Sequence, residues 1–229
     1  MSTAGTEVVE LVEKSRNTKM SVSPGDVAHK LRIDYSRGVR DHTTKSLEGV
    51  SDLCWKLERS SVDLDAFIHE AAELISRLFS IESVAIGVWD QRTKLYRYRD
   101  VVGLEKEVVE GFKQLSYTKE ELLNPEKYPC YDISSHTKLF LSEDHPYAEG
   151  EEFTYRRPAL IGMTRRSVTD SLEADYLDVF FYGREGEALG FIEISGTRLR
   201  KLPDAGTIKW IELVAGILGI AVRRHSSAA

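Results

Sequence analysis

The last quarter of the chain constrains the fold most, because it contains the two clearest periodic segments in close succession. Two apolar runs, Tyr176–Tyr182 and Leu189–Ser195, flank the polar, glycine-bearing tetrad Arg184–Glu187. Apolar runs joined in this way predict a β-hairpin. Pro203 ends the preceding segment, and Asp204 is the predicted N-cap of a helix at Ala205–Arg224.

The closing helix is apolar around most of its circumference. Only one narrow stripe is polar or small, and it consists of Lys209, Glu212, Gly216, Gly219 and Arg223. One sheet cannot bury so wide an apolar surface. We therefore predict a second partner for this helix, either the earlier helix at Asp63–Ser80 or a helix of another subunit.

An amphipathic helix and another hairpin are predicted before this region. Asp63 is the predicted N-cap of the helix, and His69 lies off the centre of its apolar face, where a surface or boundary role is expected. Strands are predicted at Ser83–Trp89 and Leu95–Val102, and a short helix at Glu105–Leu115. The apolar face of the first helix is formed by Leu64, Phe67, Ile68, Ala71, Leu74, Ile75, Leu78 and Phe79.

The amino-terminal quarter differs in composition from the rest. Residues 1–24 are polar and lack a sustained period, apart from one helical turn at Val8–Val12, so a mobile arm is expected. Residues 25–61 predict a helical extension. Its narrow apolar stripe is typical either of a helix packed on its own domain or of a signalling or dimer helix. The stripe is formed by Leu47, Val50, Cys54 and Leu57.

Charge and cysteine content narrow the classes of function. The 229-residue chain has a net charge of −6, which gives no support for nucleic-acid binding and would weakly repel anionic membranes. The two cysteines, Cys54 and Cys130, are too few for a disulfide scaffold, so a cytoplasmic location is predicted. No signal peptide is recognisable, and the apolar run Ile208–Val222 is about fifteen residues long, which predicts no membrane span.

Regular pattern is lost over residues 116–167, called the excursion below. Within it we predict only a helical turn at Lys119–Leu123 and a strand around Ile133–Leu141. A long irregular segment inside a domain is usually functional. The candidate ligand-binding residues are Tyr131, His136, Tyr155, Arg157 and Arg165.

Arginines beside aromatic rings suit an anionic or planar small molecule. The alternative is that these are solvated loop residues paired with nearby acids, namely Asp144, Glu149, Glu151, Glu152 and Asp170. The set Cys130, His136 and His145 matches no recurrent zinc spacing, so no metal site is predicted. Phosphate-binding loops, dinucleotide fingerprints and hydrolase or zinc-protease motifs are also missing from the sequence.

The order of hairpin, short loop and long closing helix resembles the carboxyl-terminal half of a GAF domain, in which a G-x-x-x-G-[FV]-[IL]-x-[IL] segment precedes the last helix. The matching residues are Gly186, Gly190, Phe191, Ile192, Ile194 and Gly196. The resemblance implies an α+β, GAF-like (profilin/PAS-like) fold over residues 62–225. In this fold a central antiparallel sheet carries the first and last helices on one face and ligand-pocket loops on the other. PAS domains share much of this plan, but the long closing helix favours GAF.

The resemblance implies a non-catalytic sensory domain. A small molecule of unknown identity would bind under the excursion and signal through helices at a homodimer interface, with output passing to a separate partner.

One alternative is a free methionine-sulfoxide-reductase-like or other small enzyme using Cys130, although such reductases use several pocket cysteines. Another is a dimerisation module without ligand. A covalent bilin is not expected, because Tyr131 follows Cys130 where bilin-binding members have histidine, and the cyclic-nucleotide signature cannot be placed.

Overall fold

Seven strands form one antiparallel sheet in the computed structural model, which describes residues 24–38, 42–58, 63–144 and 151–228. The strands are β1 (Val84–Asp90), β2 (Leu95–Val102), β3 (Ser116–Tyr117), β4 (Tyr131–Asp132), β5 (Thr137–Phe140), β6 (Tyr176–Tyr182) and β7 (Ala188–Ile194). Their order across the sheet is β3-β2-β1-β7-β6-β5-β4, with every neighbouring pair antiparallel.

The helices are α1 (Pro24–Gly38), α2 (His42–Leu57), α3 (Leu64–Phe79), α4 (Lys106–Gln114), α5 (Lys119–Leu122) and α6 (Ala205–Ala228). Two short 3₁₀ helices, Glu152–Thr154 and Pro158–Leu160, lie in the excursion. The chain divides into two units, residues 1–44 and 45–229, and the whole sheet belongs to the second. The arm predicted at residues 1–24 lies outside the described residues except for Pro24, and the domain bounds at 62 and 225 stay a prediction.

Both predicted hairpins are confirmed. β2 begins and ends at the predicted residues, and β1 is displaced from its prediction by one residue. In the second hairpin β6 and β7 are joined by a turn in which the Gly183 N–H donates to the Glu187 carbonyl over 2.8 Å. Gly186 has a φ of +80° there, a conformation that side chains rarely adopt. The pairing of β1 with β7 brings the two hairpins together at the centre of the sheet.

One face of the sheet is covered by α3 and α6. The Asp63 side chain caps α3 by accepting from the Asp65 N–H, and Asp204 accepts from the Thr207 N–H at the start of α6. The two helices contact each other as well as the sheet. The second partner predicted for the closing helix is therefore α3 of the same chain. Together they bury the helix-side core, which includes Phe67, Ile75, Ile192, Ile211 and Leu218.

From residue 45 onward, helix α2 belongs to the unit that contains the sheet and packs within it. This agrees with the first of its two predicted interpretations, a helix packed on its own domain. The buried row, however, is displaced from the predicted stripe: Leu47 and Cys54 are exposed. The reason is the contact with α3. Because Gly49 has no side chain, the side chains of Leu74 and Leu78 lie close against it, and a different row of α2 faces the core. That row is Ser46, Val50, Leu53 and Leu57.

Helix α6 is longer than predicted, because it continues through polar residues to Ala228. Over Ala205–Ser226 it has the length and apolar composition of a membrane span, which corrects the expectation that its apolar run is too short. Residues on one side of it are buried against the sheet and α3, as in the core helix of a folded domain.

The opposite face of the sheet carries α4 and the excursion, which includes α5. Aromatic rings dominate the loop-side core, which includes Tyr96, Tyr98, Phe112, Phe180 and Phe191. Tyr98 packs edge-on against Phe112, with ring centroids 5.1 Å apart, and against Phe191 at 5.5 Å. A space lined partly by these rings lies between the sheet and the excursion, and it is the candidate site.

Candidate functional site

A cavity of about 120 Å³ lies between the loop-side face of the sheet and the excursion. Strands β2, β6 and β7 form its floor, α4 one wall, and residues 151–156 and 173–175 its roof. The aromatic residues that line it are Tyr98, Phe112, Tyr117, Tyr128, Phe140, Tyr155 and Tyr176. The GAF resemblance predicted a pocket in this place, under the excursion.

Two carboxylic acids lie next to each other on the cavity floor. Asp178 of β6 and Glu193 of β7 are directly opposite in the register of the antiparallel pair. The Tyr98 hydroxyl donates to Glu193 Oε2 over 2.5 Å. Asp178 is 3% exposed, and its buried Oδ1 has no hydrogen-bond partner among the described residues. A buried acceptor without a donor costs about 1–3 kcal/mol, so this atom marks a place where a ligand or water would be favourable.

The surroundings hold protons on this pair. Burial raises the pKa of Glu193 to about 7, against a smaller lowering by the Tyr98 hydrogen bond. Burial also raises the pKa of Asp178 well above its usual range, and the nearby charge of Glu193 raises it further. Because two adjacent carboxylates in a poorly hydrated site do not both ionise readily, the pair retains at least one proton near neutral pH.

The roof of the cavity is tied to the sheet by arginine–carboxylate pairs. Arg156 donates to Glu82 over 2.5 Å, and Arg157 contacts Glu82 at 2.8 Å and Glu173 at 2.9 Å. Since Glu82 precedes β1, these pairs connect the excursion to the centre of the sheet. Closer to the cavity, the Tyr128 hydroxyl donates to Glu151 over 2.6 Å.

Arg165 forms a second tie. Its guanidinium contacts Asp175 at 2.9 Å and Glu143 at 2.8 Å, and the Asp175 side chain is fully buried. The same carboxylate accepts from the backbone N–H groups of Ser142 and Leu172. Arg165 thus links β5, the excursion and the start of β6.

Replacing Arg165 with methionine is expected to lower the free energy of unfolding by about 3 kcal/mol, because it leaves the buried Asp175 carboxylate without its cation. Urea denaturation followed by circular dichroism measures this change. The matched control is Arg166→Met at the exposed neighbouring position, where less than about 0.5 kcal/mol is expected. Equal losses in the two variants would contradict the structural role of Arg165.

The structure does not bring the five candidate residues together. Tyr155 lines the cavity, whereas Arg157 and Arg165 bind carboxylates beside it. The hydroxyl of Tyr131 donates to Asp144 over 2.9 Å at the protein surface. His136 is exposed, with its ring centroid 5.5 Å from that of Tyr182. Ligand binding by these five residues stays a prediction.

Sequence reasoning missed the acids of the floor and most of the tyrosines around them. A signal was available: Asp178 and Glu193 are each a single acid inside an otherwise apolar strand, in YLDVFFY and ALGFIEI. Such an acid is rarely buried without a partner. Their proximity depends on strand register, which the sequence pattern leaves open.

Metal ligands and thiols are sparse in this region. In the part of the chain that the structure describes, no group of three or more His, Cys, Asp or Glu side chains could hold a metal ion. Cys54 and Cys130 are both free; Cys54 is exposed on α2, and Cys130 lies at the edge of the loop-side core, outside the set of residues that line the cavity.

Comparisons with known proteins bear on the fold. No family model matches the sequence, and no curated protein matches it. Among solved structures, the GAF domain from a phosphoenolpyruvate-protein phosphotransferase of Coxiella burnetii aligns with a TM-score of 0.52 and 15% identity, covering 80% of this chain and 97% of that one. The GAF domain of the Acinetobacter phosphotransferase gives a TM-score of 0.51 and 14% identity, covering 80% and 95%.

A free methionine-R-sulfoxide reductase from Neisseria meningitidis, solved with its substrate, aligns with a TM-score of 0.50 and 12% identity, covering 82% of this chain and 92% of that one. These likenesses show that the chain contains a GAF-like α+β domain. At such identities they carry the fold alone.

Proposed function

We propose that this domain is a sensor that binds a small molecule in the cavity and transmits its occupancy to α6. The cavity itself carries the proposal, because aromatic rings form much of its lining and it contains a buried carboxyl oxygen without a donor. The fold that the chain shares with the GAF domains of two phosphotransferases is compatible with this role.

The strands of the cavity floor provide the route of transmission. Asp178 and Glu193 face the cavity, whereas their neighbours Val179 and Ile192 lie in the core under α6. Helix α6 is also tied to the excursion, since Glu212 accepts hydrogen bonds from the hydroxyls of Ser134 and Thr137. A ligand that shifts β6, β7 or β5 would therefore shift α6 with them.

The outer surface of α6 supports the proposed homodimer. Leu213 is 50% exposed and Ile220 is 37% exposed, and the spacing of seven residues places them on one side of the helix. On α2, Trp55 is 70% exposed. Pairing of two copies through α6 would cover Leu213 and Ile220, and pairing through α2 would cover Trp55; either would bring the two sensors into contact.

Catalysis by Cys130 is the competing function, and the position of this thiol outside the cavity lining argues against it. Cys130→Ser discriminates between the two. A sensor is expected to retain its ligand affinity in this variant, whereas a redox enzyme would lose turnover.

The proposed function is tested by native mass spectrometry of the freshly purified full chain, followed by hydrogen exchange. We expect a dimer that carries a discrete extra mass. Removing that molecule should accelerate exchange in the excursion and along α6. A clean monomer without bound molecule, and with unchanged exchange on adding candidate ligands, would contradict both binding and dimerisation. A clean dimer would favour the ligand-free dimerisation module.

A further inference from the structure

We infer that the cavity binds a small organic cation, with its ammonium group held by the carboxyl groups of Asp178 and Glu193. This inference rests on the proposed function and names the ligand class for the same cavity. The sequence favoured an anionic or planar ligand, whereas the inferred ligand is positively charged. The difference arises from how the charged side chains around the cavity are paired.

The arginines are already occupied. Arg157 is paired with Glu82 and Glu173, Arg165 with Glu143 and Asp175, and Arg156 with Glu82 and Glu105. Each of these guanidinium groups neutralises acids of the rim or roof. An anionic ligand would have to displace a carboxylate from one of them.

The acids of the floor have no such partner. Among the described residues, neither Asp178 nor Glu193 forms an ion pair, and Glu151 in the roof is bonded to a tyrosine hydroxyl. Lys138 is the cross-strand neighbour of Asp178, but its ammonium binds Asp132 at 2.7 Å. Within the described residues, the cavity therefore offers two carboxyl groups without a paired cation, and one unsatisfied acceptor, Asp178 Oδ1, to any molecule inside it.

The walls and the volume also suit an organic cation. Faces of tyrosine and phenylalanine rings attract ammonium groups, and the attraction is stronger in a poorly hydrated site. A cavity of about 150 Å³ can hold benzene, so one of about 120 Å³ has room for a molecule of about five or six non-hydrogen atoms. A short primary amine fits this volume, and its ammonium group suits the aromatic walls.

Affinity should rise with pH. As the pH increases through about 7 the carboxyl pair loses a proton and becomes the better partner for a cation. The other groups that face the pair keep their charge state: burial raises the hydroxyl pKa values of Tyr98, Tyr117 and Tyr176, and hydrogen bonding to Asp132 raises the pKa of Lys138. Of the acids on the roof side, Glu173 and Asp175 are paired with arginines, and Glu151 accepts a hydrogen bond from the Tyr128 hydroxyl.

The test uses three probes of equal chain length that differ in charge: n-pentylamine, 1-pentanol and pentanoate. Each is titrated into the full chain while the backbone amide signals of Asp178 and Glu193 are followed by NMR, at pH 8 and pH 5.5. We expect the amine to bind at least about tenfold more tightly than the alcohol at pH 8, and this preference to shrink about tenfold at pH 5.5. Pentanoate should not bind.

Two variants assign the effect to the carboxyl groups. Asp178→Asn and Glu193→Gln should each reduce the preference for amine over alcohol by about tenfold while alcohol binding persists. The control, Glu73→Gln, removes the same charge from an exposed position on α3, across the sheet, and should leave the preference unchanged. Thermal melting of each variant verifies that it is folded.

The outcomes separate the two proposals. Binding of the alcohol or the acid without a preference for the amine would overturn the cation inference and leave the small-molecule cavity standing. An amine preference unaffected by both floor variants would overturn the role of this carboxyl pair. If none of the probes shifts the cavity signals, the cation inference fails, and the proposed function is then decided by whether the native mass spectrum shows a bound molecule.

Discussion

Replacing Phe191 with alanine is expected to lower the free energy of unfolding by about 4 kcal/mol. Phe191 is 1% exposed at the centre of the loop-side core. Its ring centroid lies 5.5 Å from that of Tyr98, 6.0 Å from Phe180 and 6.1 Å from Tyr96. Alanine would leave a void among these rings that rigid strands on both sides cannot close, because β7 is paired with β1 and β6.

Equilibrium denaturation in urea measures the loss, and Ile192→Ala is the matched control on the opposite face of β7. Both variants should be strongly destabilised, but only Phe191→Ala should alter the cavity, because Phe191 supports the ring of Tyr98 and hence the hydroxyl that binds Glu193. The ring-proton signals of Tyr98, which contacts Phe191 on the loop side of the sheet, would then move in Phe191→Ala and not in Ile192→Ala. A loss below about 1 kcal/mol for Phe191→Ala would show that the ring is not a core element.

Gly190→Ala is expected to be the second most damaging change, with a loss of about 3 kcal/mol. A Cβ atom at this position would lie 2.3 Å from the Gly87 carbonyl oxygen and 2.3 Å from the Phe181 ring. The carbonyl belongs to the paired strand β1, so it cannot move away without breaking the centre of the sheet. The clash can be relieved only if β1 separates from β7, and the pairing of these two strands joins the two hairpins.

Gly186→Ala is the matched control within the same glycine motif. A Cβ there would meet no atom within 4 Å, and only the φ of +80° opposes it, so a loss of about 1 kcal/mol is expected. Thermal denaturation of both variants compares the cost of a steric clash at Gly190 with the cost of a positive φ at Gly186. Equal losses would mean that the close approach of β1 at Gly190 does not limit stability.

The sequence alone was sufficient for most elements of the fold. The strands at Tyr176–Tyr182 and Leu95–Val102 and the helix capped by Asp63 were predicted with bounds that match the structure closely. These features depend on local properties of the chain, namely the period of apolar residues and the chemistry of caps and turns. The predicted surface position of His69 is confirmed for the same reason, since it follows from helical period; its ring contacts Asp100 at 2.9 Å.

The row of α2 that is buried did not follow from local pattern. Leu47 fits an apolar stripe, yet it is 56% exposed, because contact with α3 selects the row that contains Ser46 instead. A polar residue can be buried and an apolar one exposed when the shape of a neighbouring helix decides which row fits.

The partners of the charged residues likewise depend on distant parts of the chain. Arg157 and Arg165 were predicted to bind a ligand because arginines near aromatic rings suit an anion. In the folded chain Arg157 meets Glu82, 75 residues away in sequence, and Arg165 meets Glu143. Ion pairing is set by proximity in space, and only the folded excursion determines which acids are near.

The sequence by itself determined the secondary structure, the α+β class and the resemblance to GAF domains, because period, capping and glycine placement are encoded within short segments. Only the tertiary structure decided where the site lies and what charge it presents. Asp178 and Glu193 become neighbours through the register of β6 and β7, and the arginines are neutralised by acids from distant segments. Strand register and ion pairing are properties of the packed molecule, since both depend on which residues the folded chain brings side by side.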